Sequence, residues 1–127
     1  LNPGGVRLGT AEIYSEVEKF KQVKESIAVG QSWDNDVRII LFVILNKGYD
    51  LNNDLVKKIK KQIRINASPR HVPEKIISVT DIPRTKNGKI VELAVKNTIE
   101  GNKIKNKEAL ANPEILKEYV NIKELND

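Results

Sequence analysis

Residues 37–45 form an almost unbroken apolar run that contains several β-branched side chains. A short run of this kind, bounded by turn residues, is typical of a strand buried on both faces. Residues 23–32 before it alternate in character, and the polar segment 34–36 between them indicates a turn, so the two runs predict a hairpin. The central strand must be covered on both sides, which excludes an open, one-layered sheet.

Other segments could supply that cover. Helices are predicted over residues 11–20, 54–65, 91–99 and 114–125, and a third strand over residues 75–82. Thr10 is a suitable N-cap for the first helix, and Pro113 suits the first position of the last one. The two prolines within residues 68–73 predict a stiff, extended crossover. These elements indicate a small α+β domain with a three-stranded sheet covered by helices, over residues 1–100, followed by a helical extension over residues 101–127.

A basic loop follows the third predicted strand. Pro83 has a fixed φ and no N–H to donate, so we expect it to end that strand. Gly88 accepts a positive φ and marks a turn, which places Lys89 at a tip flanked by Arg84 and Lys86. Three cations on a short loop suit an anionic ligand, either a phosphate or a carboxylate.

Residue types alone leave a plainer interpretation open, since basic residues in a turn are commonly just solvated. The loop does not match the P-loop pattern, because Ile90 stands where Ser or Thr is required. If the loop binds an anion without catalysis, the chain is a small basic binding module. Its partner would then be a phosphorylated molecule held by Arg84, Lys86 and Lys89.

Composition excludes several other classes of protein. The 127 residues carry a formal net charge of +5, but the few aromatic residues do not interleave with the basic ones, so no nucleic acid partner is expected. The absence of cysteine and the single His71 leave no cysteine or multi-histidine metal site. No apolar run is long enough for a bilayer, so no membrane partner is expected. The lack of cysteine suits a cytoplasmic protein.

Two motifs carry a resemblance to a known family. Pro83, Thr85, Gly88 and Lys89 form a Pro-x-Thr-x-x-Gly-Lys pattern, which resembles the C-terminal signature of the adenylate-forming enzymes. Residues 5–13 resemble the segment that opens the small C-terminal domain of those enzymes. The chain also begins inside this second motif and contains no methionine. We therefore expect the mobile C-terminal domain of a longer chain, whose large N-terminal domain is absent here and would be its partner.

Further segments resemble the acetoacetate–CoA ligase branch of this family. They are residues 5–13, 68–73, 89–96 and 109–114. Glu92 stands where the acetyl-CoA branch commonly carries Arg, which also favours the acetoacetate branch. The resemblance implies a reaction of acetoacetate, ATP and CoA that gives acetoacetyl-CoA, AMP and pyrophosphate, with Mg²⁺ accompanying ATP. The 127-residue chain alone is expected to be inactive, because the acid pocket and most ATP contacts of the family belong to the large domain.

The resemblance also implies roles for particular residues. Lys89 matches the lysine that reaches the active site during adenylation. Arg64 aligns, by its distance from the loop, with an arginine that contacts the nucleotide end of CoA. The remaining implied roles are CoA binding for Gly5, ATP or adenylate binding for Arg7 together with Lys89, and shaping of the loop for Pro83, Thr85 and Gly88.

Overall fold

The computed structural model describes residues 8–104 and 106–127. Its α-helices are α1 (Ala11–Val17), α2 (Asn53–Asn66) and α3 (Glu92–Ile99). Its strands are β1 (Val23–Trp33), β2 (Asp36–Leu45) and β3 (Lys75–Ser78). Short 3-10 segments span Pro69–His71, Lys107–Ala109, Pro113–Tyr119 and Lys123–Asn126. The predicted α+β fold with a three-stranded sheet is confirmed.

The sheet has the order β1-β2-β3, which places β2 in the centre as predicted. β1 and β2 pair antiparallel through a tight turn in which Asp34 and Asn35 have φ of 50° and 60°. Two consecutive positive φ values favour a hairpin whose twist matches that of the strands, and Asp and Asn tolerate them. β3 pairs parallel to β2, and α2 makes the crossover between the two strands.

Alternate residues of β2 point to opposite faces of the sheet. On the first face, Ile39, Leu41 and Val43 pack against α1 and α2. On the second face, Ile40 and Phe42 pack with side chains from α3 and from the C-terminal tail, residues 106–127. The buried helix residues of the first face are Ile13, Val17, Leu55, Ile59 and Ile63. The second face is closed by Val95, Tyr119 and Leu125, with the Phe42 and Tyr119 rings edge to face at 4.9 Å.

The tail differs from the predicted α-helix over residues 114–125. It forms two 3-10 segments, Pro113–Tyr119 and Lys123–Asn126, separated by Asn121 at a φ of 55°. The apolar residues of the tail explain this, because Leu116, Tyr119, Ile122 and Leu125 recur every third residue. A 3-10 helix has three residues per turn, so this spacing keeps its apolar side chains in line.

Three other predicted segments also need correction. α1 ends at Val17, not at residue 20, and residues 68–73 contain a 3-10 turn instead of being extended throughout. β3 ends at Ser78, so Pro83 does not end the strand. The Val79 N–H still bonds the Val43 carbonyl of β2 at 2.9 Å. Beyond Val79 the chain leaves the sheet, because the tail replaces β2 as the hydrogen-bonding partner of its backbone. The division at residue 100 stays a prediction.

β1 is an edge strand, and side chains cover its outer backbone groups. The Ala28 N–H donates to the Tyr14 hydroxyl at 2.9 Å. The Gly30 carbonyl accepts from Lys96 Nζ at 2.8 Å, and the Ser32 N–H donates to Glu100 Oε2 at 2.9 Å. Burial opposes ionisation of Glu100, but the bonds from Ser32 and Lys96 prevail and lower its pKa. The outer edge is thereby closed at three alternate residues.

Candidate functional site

Residues 83–91, here called the lysine loop, form a narrow hairpin. Its two sides are joined by an antiparallel bridge between Arg84 and Ile90. The Val91 N–H donates to the Pro83 carbonyl at 3.0 Å, and the Thr85 N–H donates to the Lys89 carbonyl at 2.8 Å. These cross-bonds fix the path of the backbone on both sides of Lys89.

Thr85 and Gly88 shape the tip of the loop. The Thr85 carbonyl accepts from the Gly88 N–H at 2.9 Å, and the Thr85 hydroxyl accepts from the Lys89 N–H at 3.1 Å. Gly88 has a φ of +85°, and a Cβ placed there would meet no atom within 4 Å. The requirement for glycine therefore comes from the backbone conformation and not from a lack of space.

The Lys89 side chain is exposed at the tip of this hairpin. Within residues 8–104 and 106–127 it has no ion pair and no side-chain hydrogen bond. Lys86 is exposed on the same turn and is likewise without an ion pair in that part of the chain. The loop thus presents two ammonium groups, and only Lys89 lies at the end of the Thr85 hydrogen bonds.

Arg84 corrects the prediction of three available cations. Its Nη2 bonds the carboxylate of Glu25 on β1 and lies 3.6 Å from Asp81 Oδ1. The side chain is only 25% exposed. The hydrogen bond that the guanidinium donates to Glu25, with the charge of Asp81 beside it, raises the pKa of Arg84 further. Arg84 therefore anchors the loop to the sheet and is not a ligand for an external anion.

Tyr14 and Glu92 join α1 to the start of α3, directly after the loop. The Tyr14 hydroxyl donates to the Glu92 carboxylate while it accepts from Ala28 of β1. Burial is the main cause that raises the pKa of Tyr14, so the phenol stays protonated and keeps donating. Glu92, the residue that departs from the acetyl-CoA branch, has a structural partner here.

The structure places the other predicted site residues only in part. Arg64 is exposed near the end of α2, which packs on the first face, whereas the lysine loop leads into α3 on the second face. Gly5 and Arg7 lie outside the described residues. His71 Nδ1 lies 2.6 Å from Ser68 Oγ, and its Nε2 is 4.0 Å from Glu12, which the sequence did not reveal as a neighbour.

Two further residues hold the loop and were missed by sequence reasoning. Glu25 lies 59 positions from Arg84, whose side chain it binds. Asn112 lies 28 positions from Arg84, and its Oδ1 accepts a hydrogen bond from the Arg84 N–H at 2.9 Å. In the sequence, Asn112 precedes Pro113 at a predicted helix start and lies within the family-like segment 109–114, but neither feature points to Arg84. No local pattern marks either residue as a partner of the loop.

A groove of about 530 Å³ lies between the segment before α1 and the start of α3. Gly9 and Thr10 line one side, Leu93 and Lys96 the other, and Gly30 of β1 contributes to its wall. The residues that the structure describes include no cluster of three or more His, Cys, Asp or Glu side chains that could hold a metal ion. In the same part of the chain, no helix combines the length and apolar character required to span a membrane.

Comparison with known proteins agrees with this architecture. Residues 12–89 match the family model described as the AMP-binding enzyme C-terminal domain. Among curated relatives, the acetoacetyl-coenzyme A synthetase of Rhizobium meliloti (strain 1021) is 58% identical over 125 residues, which is 98% of this chain and 19% of that protein. The acetoacetyl-CoA synthetase of Gallus gallus is 46% identical over 126 residues, again 98% of this chain and 19% of that one.

Solved structures show the same relationship. Acetoacetyl-CoA synthetase from Streptomyces lividans superposes with a TM-score of 0.83 at 35% identity, over 96% of this chain and 19% of that one. An acyl-CoA synthetase from Brucella canis gives a TM-score of 0.71 at 25% identity, over 76% of this chain and 18% of the other. The chain thus spans about 19% of the length of the curated relatives that it matches.

Proposed function

Because the chain belongs to the family of AMP-binding enzyme C-terminal domains, we propose that it is the C-terminal domain of an ATP-dependent acetoacetate–CoA ligase. The family match and the identity to acetoacetyl-CoA synthetases support this proposal. The longer chain would convert acetoacetate, ATP and CoA into acetoacetyl-CoA, AMP and pyrophosphate. The partner of the 127-residue domain would be the large N-terminal domain of the same chain, and the small domain would be inactive alone.

The observation that carries the proposal is the exposed Lys89 at the tip of a hydrogen-bonded hairpin. In the first half-reaction, a carboxylate oxygen of the acid attacks the α-phosphorus of ATP and pyrophosphate leaves. Lys89 would hold the carboxylate against the α-phosphate and stabilise the negative charge that builds on its oxygens. The hairpin fixes the backbone of Lys89 before the substrates bind, so only the side chain has to be ordered for the reaction.

In the second half-reaction, the CoA thiol attacks the acyl carbonyl of the adenylate and AMP leaves. We propose that the small domain rotates between the two steps, which withdraws Lys89 and presents the segment before α1. Gly5 would leave room for the pantetheine chain, and Arg7 would contact phosphate. Arg64, exposed on α2, would contact the nucleotide end of CoA.

The small carboxylic acid, most ATP contacts and any Mg²⁺ would be bound by the large domain. The described residues form no cluster suited to a metal, so no step assigned to this domain runs through Mg²⁺. Neither nucleic acid nor membrane is part of the proposal. We place the enzyme in the cytoplasm, consistent with a chain that lacks cysteine.

The test is acid-dependent pyrophosphate release by the full-length protein, with acetoacetate, acetate, propionate and butyrate each offered with ATP. We expect acetoacetate to be preferred. Lys89→Ala should lower the rate about 10²–10³-fold, the range typical for loss of one group that stabilises transition-state charge. Thioester formation from a supplied adenylate should change little. Lys86→Ala is the matched control, because Lys86 is an exposed lysine on the same turn.

Each other outcome has a defined meaning. Preference for another acid retains the mechanism and overturns acetoacetate as the substrate. Absence of acid-dependent release, together with small and salt-dependent losses of anion binding in both lysine variants, indicates the binding module. That alternative is weakened because Arg84, one of its three cations, is held by Glu25 and Asp81.

A further inference from the structure

The segment that leads into the lysine loop needs partners outside the sheet. Residues 79–84, here called the approach segment, run from the end of β3 into the first two residues of the lysine loop. From Thr80 to Ile82, the backbone has no strand beside it within residues 8–104 and 106–127, and Pro83 has no N–H at all. Buried backbone polar groups are almost always paired, so another part of the chain must supply partners.

The C-terminal tail supplies them. The Thr80 N–H donates to Glu118 Oε1 at 2.9 Å, and the Asp81 carbonyl accepts from the Tyr119 hydroxyl at 2.7 Å. The Ala111 N–H donates to the Arg84 carbonyl at 2.8 Å, beside a bridge between Thr85 and Leu110. The tail thus runs alongside the approach segment as a strand would, although it is not one.

Asn112 makes the densest set of these bonds. Its Oδ1 accepts from the Arg84 N–H at 2.9 Å. Its Nδ2 donates to the Ile82 carbonyl at 2.9 Å and to Asp81 Oδ2 at 3.2 Å. A single side-chain amide therefore satisfies backbone groups on both sides of Pro83 and orients the carboxylate that accompanies Arg84.

The residue that Asn112 holds, Arg84, is followed directly by Thr85, which bonds Lys89. Asn112 fixes the Arg84 backbone, and Thr85, which follows it, bonds the Lys89 carbonyl and N–H. A shift of the backbone at Arg84 therefore moves both groups that define the position of Lys89. Catalytic groups lose much of their effect when displaced by about 1 Å.

We propose that Asn112 is a positioning residue for Lys89, and that the tail braces the lysine loop for the adenylation half-reaction. The inference rests on the proposed function. The tail lies beyond residues 12–89, which match the family model, so the brace is an addition to the part of the domain that this model covers. Asn112 touches no substrate in this scheme and acts through Arg84 and Thr85.

The test is Asn112→Ala in the full-length protein, with both half-reactions measured separately. We expect kcat for acid-dependent pyrophosphate release to fall about tenfold or more, while the KM values for ATP and acid change less than about twofold. Thioester formation from a supplied adenylate should stay within about twofold of the wild type. Asn112→Asp keeps the acceptor for Arg84 but turns a carboxylate oxygen toward the Ile82 carbonyl and Asp81 Oδ2, so its loss should be at least as large as that of Asn112→Ala.

Two controls separate positioning from stability. Asn126→Ala makes the same substitution at an exposed position of the same tail and should leave both half-reactions unchanged. Leu125→Ala removes a buried apolar side chain of the tail that makes no hydrogen bond to the approach segment, and the melting temperatures of all variants are compared. A stability effect alone would lower both half-reactions in Leu125→Ala and Asn112→Ala alike.

The outcomes distinguish the brace from the function on which it rests. Normal adenylation by Asn112→Ala, in an enzyme that Lys89→Ala inactivates, overturns the brace and keeps the ligase. Equal loss of both half-reactions in Asn112→Ala also overturns it. If the wild type shows no acid-dependent pyrophosphate release, the proposed function is overturned, and the proposed brace is overturned with it.

Discussion

The two faces of the sheet are covered in different ways. The first face carries α1 and α2, whose buried residues Leu55, Ile59 and Ile63 recur every four positions. The second face carries the short helix α3 and the 3-10 segments of the tail. β2 contributes three buried residues to each face, so the difference lies wholly in the cover. The helices on the first face are specified by the local periodicity of their apolar residues. The segments on the second face are specified by contacts between distant parts of the chain.

The polar contacts of the two faces differ in the same sense. On the first face, Glu16 of α1 accepts from Gln62 and Asn66 of α2, and all three belong to helices that already bond their own backbones. On the second face, Asn112 and Tyr119 satisfy the backbone of the approach segment. Loss of a contact between helices removes that contact alone, whereas loss of the tail leaves backbone groups unpaired.

The largest expected effect is that of deleting residues 102–127, which include the whole tail. The deletion removes four buried side chains, Leu110, Leu116, Tyr119 and Leu125. At about 1.5–3 kcal/mol each, this amounts to roughly 6–12 kcal/mol, comparable with the whole stability of a small domain. We expect the shortened chain to show no cooperative unfolding in urea, followed by circular dichroism, whereas the 127-residue chain unfolds cooperatively.

This measurement also tests the predicted division at residue 100. A shortened chain that unfolds cooperatively, with a midpoint close to that of the 127-residue chain, would establish residues 1–100 as a separate folding unit. It would also remove the distinction between the two faces, since the second would need no tail.

A smaller effect concerns two tyrosines, Tyr14, which is half-buried beside the first face, and Tyr119, which is buried on the second. Burial raises the pKa of each above the ordinary value of about 10. Above pH 10 the unfolded chain therefore releases these protons while the folded chain keeps them. The free energy of unfolding should be unaffected by them below pH 10 and should fall as pH rises beyond it, by up to about 1.4 kcal/mol per pH unit for each tyrosine.

Phenylalanine variants resolve the two contributions. Tyr14→Phe and Tyr119→Phe should each flatten the loss of stability between pH 10 and 11, as measured by urea unfolding. Tyr49→Phe is the control, since Tyr49 is 40% exposed. If Tyr119→Phe left the slope unchanged while Tyr14→Phe flattened it, the second face would be more open to water than the first.

The smallest effect is expected at Glu16 on the first face. The hydrogen bond from Asn66, followed by that from Lys19, lowers the pKa of Glu16 below its ordinary value of 4.5. Its contribution to stability is therefore present above that value and is lost as pH falls through the folded-state pKa. Glu16→Gln should narrow the difference between the urea midpoints at pH 7 and pH 3. Glu18→Gln, an exposed neighbour, should not; an equal change in both variants would contradict the assignment.

The sequence predicted the first face well because its signals are local. The apolar run of β2 and the four-residue spacing of α2 each lie within a single segment. The tail was predicted as an α-helix because Pro113 suits the first position of one, and the spacing of its apolar residues was not considered. An α-helix turns each step of three residues about 60° away from the previous one, so a strict spacing of three favours a 3-10 segment.

The candidate site divides in the same way. Thr85, Gly88 and Lys89 lie within five residues, and their pattern predicted the hairpin tip that the structure shows. Glu25 and Asn112 hold the same loop but are distant from it in sequence, and nothing near them indicates their partner. The assumption that Arg84 was available failed for this reason, since its availability depended on a carboxylate on β1.

The covered edge of β1 has a consequence for the behaviour of the isolated domain. An unpaired edge strand is a template onto which another chain can add its own strand, the first step toward aggregation. Here an incoming strand would have to displace Tyr14, Lys96 and Glu100 from Ala28, Gly30 and Ser32. The same side chains that tie α1 and α3 to the sheet therefore act as a guard against self-association during synthesis and refolding.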